Sequence, residues 1–111
     1  MGCTFIDKLA DSPDEKTNDR NVPTLKVVSA LDGVRVIRLT FRDGEVLADH
    51  AASKPILVMG QKGTLDFEVE DGEETKQFTL GPGTAVHVDA KQTHRLAATD
   101  GPATATLLIL R

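Results

Sequence analysis

Beyond position 23 the chain is written in short runs whose apolar and polar residues alternate. In 34–41, VRVIRLTF, Ile37, Leu39 and Phe41 fall on one side and Arg38 and Thr40 on the other. A period of two is that of a strand with a buried face, because successive side chains leave opposite faces of the pleat. In 64–70, TLDFEVE, the split is cleaner: Leu65, Phe67 and Val69 are set toward a core, and Asp66, Glu68 and Glu70 toward water. Asp71-Gly72 then predicts a hairpin turn into 73–80, EETKQFTL. Further strands are predicted over 26–31, 55–59, 84–88, 94–98 and 103–110. The last contains ATLLIL, apolar on both faces, which predicts a central or covered strand.

Eight or so short strands, punctuated by Asp-Gly and Gly-Pro-Gly and without a substantial helix, predict an all-β double-sheet roll over 24–111. Residues 1–23 form an irregular lead. Positions 5–10 are suited to a short helical turn. Positions 11–23, DSPDEKTNDRNVP, are charged, Pro-containing and almost devoid of apolar residues, which predicts an exposed loop.

At 111 residues the chain has material for one core. Its 40% hydrophobic and 27% charged content is that of an ordinary globular domain, and no apolar run is long enough to span a bilayer. A membrane is therefore not expected as a partner. The opening MGCTFIDKLADS lacks the basic start and apolar stretch of a secretory signal, which predicts a cytoplasmic location. A net charge of −4 with scattered Lys and Arg repels phosphate backbones, and with four Phe and no Trp or Tyr there is no stacking platform, so nucleic acid is not expected either. The lone Cys3 has no partner for an internal disulfide and is assigned no role.

Candidate chemistry rests on three histidines. His94 shares a strand face with Leu96 and Ala98, and His50 shares one with Ala52, so both are expected in the interior. His87 alternates against Val86 and Val88, which are expected to fill the core, and is therefore expected to turn outward. Arg35 is expected at the barrel rim, and Gln61 and Lys62 in a solvent-exposed turn. The acidic run Glu68, Glu70, Asp71, Glu73, Glu74 straddles a tight turn and lacks the spacing of a calcium loop.

Two glycine-punctuated segments, each carrying a histidine, resemble the two sequence motifs of the cupin superfamily. The first motif runs G-x5-H-x-H-x3-E-x6-G. Here Gly44, His50, Ala52, Ile56 and Gly63 fall in register with it. The second runs G-x5-P-x-G-x2-H-x3-N, and Gly83, Asp89, Lys91, His94 and Ala98 take those positions. The glycine frame and two histidines match, whereas the second His, the Glu, the Pro, the inner Gly and the Asn do not.

The resemblance implies a double-stranded β-helix, or jelly-roll barrel, of the small single-domain cupin kind with a degenerate metal motif. It implies that His50 and His94 are the surviving ligands of a divalent transition metal such as Zn, Fe, Mn or Ni. It further implies an interior pocket formed by His50, Ala52, Ile56, His94 and Leu96. Ala and Ile at two ligand positions make that pocket roomier and more apolar, suited to a small and largely apolar molecule. The readings left open are a small-molecule-binding barrel, a metal-dependent enzyme of dioxygenase or isomerase type, and an association module. A homodimer is the expected assembly, and no catalytic residue is assigned; in a metal-free catalyst His50 or His94 would be the general base.

Overall fold

The computed structural model describes residues 2–11 and 21–110, and at His50 the backbone alone. Its described regular elements are nine strands: β1 (Thr24–Leu31), β2 (Val34–Phe41), β3 (Val46–His50), β4 (Ile56–Lys62), β5 (Leu65–Asp71), β6 (Glu74–Leu80), β7 (Ala85–Val88), β8 (His94–Ala97) and β9 (Ala103–Leu110). They pair antiparallel into a five-stranded sheet ordered β1-β2-β9-β4-β7 and a four-stranded sheet ordered β3-β8-β5-β6.

Alternation decides which side chains meet between the sheets. Ile37, Leu39 and Phe41 of β2 join Leu65, Phe67 and Val69 of β5 in one buried cluster. Phe67 is fully buried and Phe41 and Leu39 nearly so. Side chains of this size contribute about 1.5–3 kcal/mol each when removed from water. β9, apolar on both faces, lies between β2 and β4 in the middle of the larger sheet. The second face of that sheet is also covered at its centre: Arg38, Thr40, Thr104 and Thr106 are buried although their alternation sets them away from the core.

Several expectations are modified. β4 runs on through Gln61 and Lys62, which were expected in a turn. Gln61 is half-buried, and its Nε2 donates to Thr106 Oγ1 at 3.1 Å. Positions 5–10 form no helix. A turn at Leu9 and Ala10 follows Lys8, at φ 59°, with Asp11 N–H donating to the Lys8 carbonyl at 3.1 Å. So short a helix is not self-supporting, and Phe5, 85% exposed, has no packing surface to sustain one. The charged stretch 12–20, expected to be an exposed loop, lies outside the described residues. No helix among the described residues is long and apolar enough to cross a membrane.

The five-stranded sheet outreaches the four-stranded one. On β1, Leu25 and Val27 remain 51% and 54% exposed, although their register partners Leu39 and Ile37 are buried.

Gly63, which follows β4, illustrates how tightly the barrel is drawn together. It has φ +69°, and a Cβ there would lie 2.4 Å from the Pro102 carbonyl oxygen and 3.1 Å from Ala103 Cα. Gly72 in the β5–β6 hairpin has the same φ and open space around it. Gly72→Ala is therefore expected to cost about 1 kcal/mol, the left-handed backbone penalty alone. Gly63→Ala adds a backbone collision and is expected to cost about 2–4 kcal/mol. Urea denaturation of the two variants measures both, and equal losses would contradict the close approach.

Candidate functional site

The β3–β8 pairing sets one end of the barrel. Val46 and Leu47 lie opposite Ala97 and Leu96, and the register then slips so that His50 lies opposite His94. The slip is a bulge on β3. Without it, Asp49 would face His94. Bulges of this kind re-aim a strand end. On its other side His94 is the register partner of Val69.

His94 is only 2% exposed. Its ring stacks on Phe67, with centroids 6.1 Å apart and planes 16° from parallel. Nδ1 lies 3.2 Å from the Gln92 carbonyl oxygen. A carbonyl can only accept, so this contact places a proton on Nδ1. Histidines that act through Nε2 are commonly oriented in this way.

The loop after β7 is tied to the loop after β3. Lys91 N–H donates to the Ala52 carbonyl at 2.7 Å, and Lys91 has φ 68°. Lys91 occupies the inner-glycine position of the second motif. The left-handed turn is therefore kept where the residue best suited to it is absent. Gly44, Gly63 and Gly83, the remaining glycines of the frame, also have positive φ.

Of the five residues expected to line a pocket, Ile56 and Leu96 are 2% and 1% exposed and belong to the apolar core. Ala52 is half-buried and packs against that core. His94 lies beside them, and His50 enters through its backbone register alone. Ala52 and Ile56, at the second-His and Glu positions, carry no donor atom. Among the described residues no three His, Cys, Asp or Glu side chains come together to hold a metal ion. Of the motif's ligand positions, 52 and 56 thus lack a donor, His94 supplies one, and the His50 side chain lies outside the described residues.

A cleft of about 240 Å³ opens between the edge strands β6 and β7; buried His94 does not line it but is linked to it through Val69 and Gln92. Val69, Phe78 and Val86 give it an apolar floor, and Asp71, Lys76 and Gln92 a polar rim. Val69 is the register partner of His94, and Gln92 supplies the carbonyl that holds the ring. His87 borders the same cleft, its side chain 52% exposed with Nδ1 3.7 Å from Asp89 Oδ1. A larger concavity of about 430 Å³ lies along the β5–β6 hairpin, where Gln77 and Glu68 already bond to each other at 3.2 Å.

Lys76 Nζ lies 2.9 Å from Asp71 Oδ2. The Lys76 hydrogen bond, then its charge, holds the Asp71 carboxyl below the ordinary value. Asp71, through the same two effects, holds the Lys76 ammonium above its own.

Sequence reasoning missed this cleft. Its residues come from neighbouring stretches of chain, the β5–β6 hairpin and β7 with the loop after it, that belong to different sheets, and β6 and β7 flank it because each is the last strand of its sheet. The one local signal was Phe78, a large apolar residue in an otherwise polar run.

No protein-family model matches the chain. No curated protein matches it either. Solved structures do. A cupin superfamily protein of Desulfitobacterium hafniense DCB-2 superposes with a TM-score of 0.70 at 17% identity, covering 93% of this chain and 95% of its own. A cupin domain of Bordetella pertussis Tohama I gives 0.67 at 18%, covering 85% and 98%. Oxalate decarboxylase of Bacillus subtilis gives 0.67 at 13%, over 70% of this chain and 21% of that one. The double sheet, its strand order and the histidine-bearing end thus define a jelly-roll barrel. The fold is that of the small single-domain cupins.

Two predictions follow from this geometry. Lys91→Gly relieves a left-handed backbone in a side-chain-bearing residue and is expected to stabilise the protein by about 1 kcal/mol, raising Tm by roughly 4–8 °C in calorimetry. Asp71→Asn tests the exposed pair. The stabilisation from Asp71 is present above the ordinary carboxyl pKa of 3.8 and is lost as pH falls through its depressed folded value. That from Lys76 is present below 10.5 and is lost as pH rises through its raised value. The variant should therefore melt slightly lower than the parent near neutral pH, the gap closing in strong acid and in about 1 M salt.

Proposed function

We propose that this chain is a small-molecule-binding cupin barrel whose recognition site is the His94 end, entered through the β6–β7 cleft and working without a resident metal. One observation carries the reading. A cleft with an apolar floor and a polar rim is lined by Val69 and Gln92, the register partner and the ring's hydrogen-bond partner of a buried histidine stacked on Phe67. Small ligand sites have this composition: apolar walls for affinity and a few oriented polar groups for selection. Loss of donors at positions 52 and 56 removes metal anchorage and leaves the enclosure. The fold itself hosts both enzymes and binding proteins, so the side chains present decide between these readings.

A small-fragment titration followed by ¹H–¹⁵N NMR tests the site. The expected result is saturable shifts that cluster on Val69, Phe78, Val86, Gln92 and His94. Shifts that cluster elsewhere, or none that saturate, would overturn the proposal.

Metal retention tests the second half of the reading. The untagged parent, loaded with Mn, Fe, Ni or Zn and dialysed, is expected to keep less than about a tenth of an equivalent. Ala52→His with Ile56→Glu restores the donors that the resemblance implies. That variant is expected to be less stable without metal, because it buries a carboxylate, and to regain Tm with metal. Stoichiometric metal on the dialysed parent would disprove the metal-free reading.

A further inference from the structure

The rim of the β6–β7 cleft has a charge bias that an apolar site does not need. Asp71 and Asp89 contribute two carboxylates against the single ammonium of Lys76. That ammonium is already engaged: Asp71 bonds it at 2.9 Å, and the Glu74 charge acts on it as well. Asp71 has a second contact, Gln92 Nε2 at 3.4 Å from Oδ1. Asp89 is different. Its side chain is 85% exposed, and the cation-capable group near it is His87, at 3.7 Å.

An anionic ligand entering here would meet carboxylates with no uncommitted ammonium to balance it. A cation would meet the reverse. Phe78, 43% exposed, also offers an aromatic surface on the cleft floor, to which a cation is attracted. Among the described residues no three ligating side chains converge on a bare metal ion.

We propose that the cleft binds a small organic cation, an ammonium-type head carried on a short apolar body. The head sits at the Asp71–Asp89 rim and the body lies on Val69, Phe78 and Val86. The inference rests on the His94 end being the binding end and adds the chemical class of the ligand. About 240 Å³ equals the liquid volume of about eight waters, so the ligand has on the order of ten heavy atoms.

The test compares hexylammonium, hexanol and hexanoate as probes, by ¹H–¹⁵N NMR of the full chain at low salt and about neutral pH. Hexylammonium is expected to give saturable shifts at Val69, Phe78, Val86 and Gln92, binding at least about tenfold more tightly than hexanoate. Asp89→Asn and Phe78→Ala, both at exposed positions, are each expected to weaken it about two- to fivefold. Lys76→Gln removes the competing ammonium and is expected to tighten it, an effect that a purely apolar groove would not show. Equal binding of the three probes, or preference for hexanoate, overturns the cation assignment and leaves the binding-end reading standing. If no probe gives a saturable shift and the fragment titration is also silent, both fail.

Discussion

Two sheets of unequal width must close over one apolar layer, and the position of every other feature follows from that closure. Leu39 and Phe41 meet Leu65 and Phe67 across the seam, and the strands carrying them are held in register by their antiparallel neighbours. Where the sheets cover each other, side chains are sealed. Where one sheet runs past the other, or two edge strands face each other without pairing, surface is left open. The open places are the β1 overhang with Leu25 and Val27 and the cleft between β6 and β7. The candidate site is thus a product of incomplete closure, linked to a sealed histidine through Val69 and Gln92.

This arrangement also bears on chemistry. His94 is held by neighbours of different kinds, among them a carbonyl at Nδ1, a ring beside it and a strand partner on either side. Such a residue is well suited to present one nitrogen in one direction and poorly suited to move. With Ala52 and Ile56 at two of the motif's ligand positions, the donor atoms there are replaced by apolar side chains.

The alternation in 34–41 and 64–70 was enough to predict the core faces of β2 and β5, because local side-chain direction in a strand is fixed by the pleat alone. The doubly apolar 103–110 likewise announced a strand with neighbours on both sides, and β9 has them. Burial of His94 was legible from Leu96 and Ala98 two and four positions on. The backbone register of His50 with His94 was not legible, since it depends on a one-residue slip between strands that leaves no trace in either strand's own pattern. Nor could Arg38 and Thr106 be read as buried, because alternation sets both away from the core. The cleft was invisible as well, being set by which strands end their sheets.

Among the described strands, β9 alone joins the β1–β2 pair to the β4–β7 pair within the larger sheet. Until residues 103–110 are available, these pairs have no shared ladder, and the apolar undersides of both face water. Assembly of the domain is therefore gated by its most C-terminal described strand, and a ribosome that still shelters that segment would hold an unfinished, sticky intermediate.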